Sequence, residues 1–203
     1  MLYTSLVTLA AASIASALTP TGFQPGSSSQ LVVAYNGEPA LNGAVEAKAS
    51  VQTAPSVATQ QRLNGTSYAV LMMDIDIPTN APPAVSTLLH WMQTGLTPAS
   101  TATSLNATKG AQSVYLLQNT ANTAAFATYL GPSPPAKIPL SHMYVQILVD
   151  TSNAKQDAIT SLQTAAANRT AFSALDVLTA AGLQNSVVAG NYFNVTNPGP
   201  ATD

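Results

Sequence analysis

The stretch Tyr68-Ala-Val-Leu-Met-Met-Asp-Ile-Asp-Ile-Pro78 determines the fold class of this 203-residue chain. It begins shortly after the turn pair Asn64-Gly65, runs almost entirely through apolar residues, and stops at Pro78. A long apolar run bounded by turn residues is typical of a buried β-strand. The sequence therefore predicts its strongest strand over residues 68–77, and the other elements are placed around it.

Weaker strand signals lie on both sides of this stretch, and helical signals come late. The predicted strands are residues 31–35, 44–51, 88–93, 114–118, 141–150 and 186–195. Helices are predicted at 155–167 and 173–181, the second with Ser173 as N-cap and Gly182 as C-cap. Strands first, helices late and one closing strand indicate a β-rich α+β domain with one core.

Three segments lack a periodic pattern. Residues 19–30 are rich in Pro, Gly and Ser and predict an irregular entry segment. Residues 94–110 are polar and predict a long surface loop. Residues 131–139 hold four prolines, so they are expected to form neither a helix nor a central strand.

Composition excludes several function classes. Only 7% of the residues are charged, the formal net charge is -2, and six Lys and Arg are scattered along the chain. Nucleic-acid binding needs clustered cations, and so does attraction to anionic membranes, so neither is expected. The absence of cysteine excludes disulfides, thiolate metal sites and cysteine nucleophiles.

The N-terminus predicts a secreted protein. Residues 6–15 are apolar, and Ala15-Ser16-Ala17 has the form of a signal-peptidase site. We expect a signal peptide over 1–17 and one domain over 18–203; the alternative is a buried N-terminal helix. No second apolar run approaches transmembrane length, so no integral membrane segment is expected in the mature chain. Secretion is supported by four N-glycosylation sequons, which begin at Asn64, Asn106, Asn168 and Asn194.

The residues that could carry chemistry are few, since the chain has eight acidic residues and two histidines. Asp74 and Asp76 are two apart at the end of the strongest strand, so both should project from one face. Alternatively, they cap the turn at Pro78. His142 and Tyr144 also share one strand face. Together with His90 they could be donors aimed at an anion, or core residues with internal hydrogen bonds.

Four short segments that contain these residues, taken in chain order, resemble motifs of the phosphatidylethanolamine-binding protein family. That family shows an Asp-Pro-Asp-Ala-Pro segment, a His-containing strand, a Tyr-x-Gly-x-x-Pro-Pro loop and a His-Arg-Tyr strand. The corresponding segments here are Asp74-Ile-Asp-Ile-Pro78, His90-Trp91, Tyr129-Leu-Gly-Pro-Ser-Pro-Pro135 and His142-Met-Tyr144. Gly190-Asn-Tyr-Phe193 resembles the last strand of fungal and bacterial members. The resemblance spans about residues 31–194.

The resemblance implies a central antiparallel sheet, a second smaller sheet, flanking helices and a pocket for phosphate-like or carboxylate ligands. The ligand-binding residues that it implies are Asp74, Asp76, His90, Tyr129, Gly131, His142 and Tyr144. No metal and no cofactor are expected. The family's Pro, Ala and Arg are replaced here by Ile75, Ile77 and Met143, and its gating tail helix is not recognisable.

Three functions stay open on this basis. The first is a secreted module that binds a small anion, with Asp74 orienting a histidine. The second is an auxiliary enzyme of fungal secondary metabolism that assists dimerisation of maleic anhydride monomers in maleidride biosynthesis. In that role His90, His142 and Asp74 would be the catalytic residues, the substrate an anhydride or dicarboxylate, and a pathway protein a possible partner. The third is protease or kinase inhibition through surface contacts.

Overall fold

The computed structural model describes residues 18–107 and 110–202 of the chain. The predicted signal peptide lies outside these residues. The strands are β1 (Leu31–Tyr35), β2 (Glu38–Pro39), β3 (Ala44–Glu46), β4 (Ser56–Thr59), β5 (Tyr68–Pro78), β6 (Val85–Pro98), β7 (Thr103–Ala107), β8 (Gly110–Gln118), β9 (Ser141–Asp150) and β10 (Val187–Thr196). The helices are α1 (Gln156–Ala166) and α2 (Ala174–Ala180), with a 3₁₀ turn at Lys48–Val51.

The described strands form one ten-stranded sheet with two distinct parts, and nine of the strands follow one continuous path. Its order is β2-β1-β4-β8-β6-β5-β9-β10-β3, and β7 pairs with β8 off this path. The central part, β6-β5-β9-β10-β3, is antiparallel except for the parallel pair β10–β3. The smaller part joins it through two residue pairs at the end of β6, Thr97 with Gln118 and Pro98 with Leu117. The predicted central antiparallel sheet and second smaller sheet are both present.

Strand β5 is buried on both faces because each face packs against a different layer. Val70 and Met72 belong to the core shared with the smaller sheet, which also holds Leu31 and Val57. The intervening residues of β5 face the other core, beneath the two helices. That second core contains Ala69, Leu71, Met73, Leu162 and Leu178. Asp74 continues the spacing of Val70 and Met72, so the strand alternation directs it between the two sheets.

Both predicted helices are present, and the predicted N-cap of the second is confirmed. The Ser173 side chain accepts a hydrogen bond from the Asp176 backbone N–H at 3.2 Å. Gly182 lies just beyond the last helical turn with φ +69°, a left-handed conformation that glycine adopts without strain. Its N–H donates to the Thr179 carbonyl oxygen at 3.0 Å, which satisfies one terminal acceptor of the helix.

Two predictions about secondary structure are wrong. Residues 94–110 are not a surface loop, because β6 continues to Pro98 and a β7–β8 hairpin follows. This segment is rich in Thr, a β-branched residue that favours strands even in polar sequence. Residues 44–51 are not one strand either. After β3 the chain turns into the 3₁₀ turn, whose Val51 packs into the core between the sheets.

Candidate functional site

The side chains of interest meet where β5, β6 and β9 lie next to one another. Asp74 pairs with Leu88 of β6 and with Tyr144 of β9. The β5–β6 register shifts by one residue between Met72 and Met73, so that His90 is the extra residue of a β-bulge. A bulge redirects a side chain that regular alternation would place elsewhere. Three separate elements thus bring together an acid, an imidazole and a phenol.

Asp74 is the centre of this cluster and is only 2% exposed. Its Oδ2 lies 2.7 Å from Nδ1 of His142. Its Oδ1 accepts a hydrogen bond from the backbone N–H of Asp76 at 2.9 Å. Both carboxylate oxygens therefore have a partner, as a buried carboxylate requires. Asp74 orients His142 so that Nε2, the other ring nitrogen, points away from the carboxylate.

His90 is held by the loop that follows β8. Its Nδ1 lies 2.7 Å from the carbonyl oxygen of Leu130, and the Leu130 N–H donates to the His90 carbonyl at 2.9 Å. Its Nε2 lies 4.0 Å from Oδ2 of Asp74, which is beyond a direct hydrogen bond. Burial lowers the pKa of His90 below its usual value, against the opposing effects of the Leu130 carbonyl and the Asp74 carboxylate.

Tyr144 completes the cluster and has no exposed surface. Its ring meets the His90 ring edge to face at 5.1 Å and stacks on Phe193 at 5.5 Å. Burial raises the pKa of Tyr144 well above its usual value, and the nearby Asp74 carboxylate adds to this rise, which the Ser133 backbone partly opposes. The phenol therefore stays protonated and is available as a donor.

Three polar atoms of this cluster are buried without a hydrogen-bond partner among the described residues. They are Nε2 of His90, Nε2 of His142 and the hydroxyl oxygen of Tyr144. A buried polar atom without a partner costs about 1–3 kcal/mol, and most such atoms in proteins find one. Three of them around one carboxylate indicate a place where a small polar molecule is received.

Asp76 and Met143 lie beside the cluster with different roles. Oδ2 of Asp76 accepts a hydrogen bond from the Met143 backbone N–H at 2.8 Å, which ties β5 to β9. Burial raises the pKa of Asp76, and the Asp74 charge adds to the rise. The Met143 side chain packs in the core beneath the helices, on the face opposite His142 and Tyr144. A cation at position 143 would therefore project away from the three unpartnered atoms.

Tyr129 and Gly131 hold the proline-rich loop to the smaller sheet. The Tyr129 hydroxyl donates to the Val51 carbonyl at 2.8 Å and bonds the Tyr35 hydroxyl at 3.0 Å. A Cβ on Gly131 would lie 3.0 Å from the Gln52 Cα, so glycine permits this close approach. Their ligand contact remains a prediction, since the Tyr129 hydroxyl already has these two protein partners.

The C-terminal segment lies along the same loop. The side-chain amide of Asn197 donates to the Pro134 carbonyl at 2.9 Å, and Thr202 donates through its hydroxyl to the Ala136 carbonyl at 2.9 Å. Residues 197–202 contain no helix. A cavity of 440 Å³ lies between residues 20–24 and the start of α2, and one of 570 Å³ lies against α1 and α2; neither is lined by the cluster.

Arg169 is a residue near the site that sequence reasoning missed. Its guanidinium donates to the carbonyls of Leu89 (3.4 Å) and His90 (3.3 Å) and to the Thr128 carbonyl (2.8 Å). It thereby connects the strand that carries His90 to the loop that holds it, and its charge opposes protonation of His90. Only its position within a sequon drew attention to this segment of the sequence.

The predicted glycosylation sites differ in their surroundings. Asn64 and Asn168 are exposed, and Oδ1 of Asn168 accepts hydrogen bonds from the N–H and hydroxyl of Thr170. Asn194 is half-buried in a strand paired on both sides, and its amide donates to the Gly43 carbonyl at 2.9 Å. The Asn106 sequon includes Thr108, which lies outside the described residues. Exposure therefore favours Asn64 and Asn168 as acceptors.

No helix within the described residues is both long and apolar enough to cross a membrane. In the same part of the chain, no group of three or more His, Asp or Glu side chains is arranged to hold a metal ion.

Comparison with known proteins gives one family match and several similar folds. The model described as phosphatidylethanolamine-binding protein matches residues 29–193. A carboxypeptidase Y inhibitor, solved with its cognate proteinase, is 18% identical, with 85% of each chain covered and a TM-score of 0.56. A phosphatidylethanolamine-binding protein from Plasmodium falciparum is 16% identical, with 87% of this chain and 88% of that chain covered and a TM-score of 0.52. Another from Plasmodium vivax is 15% identical, with 82% of this chain and 84% of that chain covered and a TM-score of 0.50. A comparison with curated proteins gives no significant match.

Proposed function

Given that this chain belongs to the phosphatidylethanolamine-binding protein family, we propose that it binds a small oxyanion, phosphate-like or carboxylate-like, at Asp74, His90, His142 and Tyr144. The Tyr144 hydroxyl would donate to the anion, and the unpartnered Nε2 of His142 would face it. Asp74 fixes the orientation of His142 through their 2.7 Å contact. Hydrogen bonds to a charged acceptor are stronger than neutral ones, so few donors suffice for a small ligand.

The observation that carries this proposal is the group of three buried, unpartnered polar atoms on His90, His142 and Tyr144. A cluster that served only core packing would lose stability by leaving such atoms unpaired. A bound oxyanion supplies acceptors for the donors among them. Because the atoms are buried, the group received must be small, of the size of inorganic phosphate or acetate.

The direct test is calorimetric titration of Tyr144→Phe with inorganic phosphate. In the wild-type protein the hydroxyl lies near the Asp74 carboxylate and the Ser133 backbone but makes no hydrogen bond of normal geometry, so its removal should change the melting temperature little. Phosphate affinity should fall by about 1.5–3 kcal/mol, which is tenfold or more. Tyr192→Phe is the matched control, because Tyr192 packs in the core on the opposite face of the sheet. Equal phosphate affinity in Tyr144→Phe and in the wild-type protein would contradict the proposal.

Affinity for phosphate should also rise as the pH falls from about 8 to about 6. Inorganic phosphate gains a proton over this range, which lessens its repulsion from the Asp74 carboxylate. Titrations at three pH values would measure this trend, and affinity that rises with pH would contradict it.

A second function, catalysis, is favoured by the His142–Asp74 pair. A histidine whose Nδ1 is held by a carboxylate and whose Nε2 is free has the arrangement of a general base with its orienting acid. On this alternative the protein is the auxiliary enzyme that assists dimerisation of maleic anhydride monomers. Incubation with such a monomer should give a dimer detectable by mass spectrometry. His142→Gln should abolish it; no dimer with the wild type would reject this alternative.

Secretion is part of the same proposal. The predicted signal peptide supports it, and so do the exposed sequons at Asn64 and Asn168. N-terminal sequencing of the mature protein should give a start near Leu18. Material that retains Met1 in the culture medium would contradict this expectation.

A further inference from the structure

We infer that this site selects an oxyanion that still carries a proton, such as hydrogen phosphate, over a fully deprotonated one such as sulfate or a phosphodiester. The inference rests on the proposed function, since it concerns the same site and specifies its ligand. It follows from the hydrogen-bonding role that the Leu130 carbonyl imposes on His90.

A carbonyl oxygen can only accept a hydrogen bond, so Nδ1 of His90, 2.7 Å from the Leu130 oxygen, must carry the ring proton. In the neutral ring, Nε2 then carries a lone pair and can only accept. This Nε2 is buried and has no partner among the described residues. The protein therefore presents an acceptor, not a donor, on this side of the site.

The groups that face His90 decide whether its ring stays neutral. Asp74, 4.0 Å from Nε2, favours the imidazolium. Arg169 and His142 disfavour it electrostatically, and burial disfavours it most, so the pKa of His90 is lowered. Tyr144 meets the ring edge to face and stays protonated. At neutral pH the ring is therefore neutral and Nε2 is an acceptor.

Asp74 strengthens this selection. Its two oxygens already accept hydrogen bonds from the Asp76 N–H and from His142, yet its negative charge remains close to Nε2 of His90. A deprotonated ligand oxygen placed there would face a lone pair and a carboxylate. A ligand O–H placed there would donate to Nε2. Sites that hydrogen-bond a ligand O–H reject analogues that lack it, because a buried polar atom is then left unpaired.

The test compares hydrogen phosphate with sulfate, which differs from it in the proton and little else, and with dimethyl phosphate. At about pH 8 inorganic phosphate is mainly HPO₄²⁻, which has the charge and shape of sulfate but keeps one O–H. Dimethyl phosphate represents the phosphodiester of a lipid headgroup and has no acidic proton. By calorimetry, phosphate should bind at least about tenfold more tightly than either. Sulfate or dimethyl phosphate binding within about twofold of phosphate would overturn the inference and leave anion binding intact, whereas no binding of any of the three would reject both.

His90→Gln links the selection to the proposed residue. A glutamine amide can turn either its oxygen or its NH₂ toward the ligand, so it can accept from phosphate or donate to sulfate. The ratio of phosphate to sulfate affinity should therefore fall toward one in this variant, with folding checked by its thermal melt. A folded variant that keeps the wild-type ratio would overturn the role of His90. If the variant does not fold, the three-ligand comparison on the wild-type protein still decides.

Discussion

At the scale of single residues, Asp74 combines structural and chemical roles. It accepts hydrogen bonds from two different elements, and it holds the histidine whose other nitrogen faces the site. Buried carboxylates of this kind are destabilising when they lose partners and leave donors unpaired when they are removed. The stability of the domain and the geometry of the site are therefore coupled through one side chain.

Replacing Asp74 should test this coupling. Asp74→Ala leaves the His142 N–H and the Asp76 N–H without their acceptor, and we expect a loss of about 2–4 kcal/mol in the free energy of unfolding. Asp74→Asn keeps one acceptor oxygen in place and should cost less. Urea denaturation of both variants measures the difference. Equal stability of Asp74→Ala and wild type would contradict the assigned contacts.

The contribution of Asp76 to folding stability should depend on pH in the direction opposite to that of a carboxylate paired with a cation. Its pKa is raised in the folded protein, mainly by burial, so the folded state binds the proton more tightly than the unfolded chain does. The contribution of Asp76 to stability therefore decreases as the pH rises from the unfolded pKa through the raised folded pKa. Asp76→Asn should gain melting temperature relative to wild type at neutral pH and not at about pH 3. A gain only at acid pH would contradict this sign.

At the scale of elements, the loop that carries Leu130 positions His90. Tyr129 fixes this loop to the 3₁₀ turn through the Val51 carbonyl and the Tyr35 hydroxyl. The two bonds bridge the smaller sheet and the loop beside the cluster. Burial raises the pKa of Tyr129 to about 12, so its hydroxyl remains a donor throughout the physiological range.

Loss of this bridge should be measurable. Tyr129→Phe leaves the Val51 carbonyl without its donor and should cost about 1–3 kcal/mol of unfolding free energy. Tyr35→Phe keeps the bond to Val51 and should cost less, about 0.5–1.5 kcal/mol. Chemical denaturation of the two variants gives the comparison. A larger loss in Tyr35→Phe would show that the bridge is assigned incorrectly.

Strand alternation allowed part of the site to be predicted from sequence. It gave the common face of His142 and Tyr144 and the opposite face of Met143 without knowledge of any contact. The bulge at His90 could not be predicted, because it depends on the register of β6 against β5. The contacts of Arg169 could not be predicted either, since they join segments far apart in the chain.

The predicted fold class is confirmed at the level of the whole molecule. The apolar pattern of β5 and β9 predicts buried strands because each run is short and is bounded by turn residues. Strand β7 lies within the segment 94–110 that the sequence predicts as loop, because its residues are mostly polar and small, and such sequence pairs as a strand only where a neighbour is supplied. Tertiary pairing, not local pattern, therefore determines this part of the molecule.

Glycosylation, if the protein is secreted, should follow exposure. Asn168→Gln should lower the apparent mass of secreted protein by one glycan, because Asn168 is exposed. Asn194→Gln should not change the mass, since its amide is held by the Gly43 carbonyl within a paired strand. Gel mobility with and without glycosidase measures both. A glycan lost from Asn194→Gln and not from Asn168→Gln would contradict the expected order.

The most direct measurement of the oxyanion site uses the fact that the chain has two histidines. A long-range ¹H–¹⁵N spectrum of the imidazoles reports the protonation of each ring nitrogen, and His90→Gln assigns the signals. At neutral pH we predict a protonated Nδ1 and an unprotonated Nε2 in His90. Saturating phosphate should shift the Nε2 signals of both histidines and leave the His90 Nδ1 signal nearly in place. Nε2 signals that do not move at saturating phosphate would contradict the account.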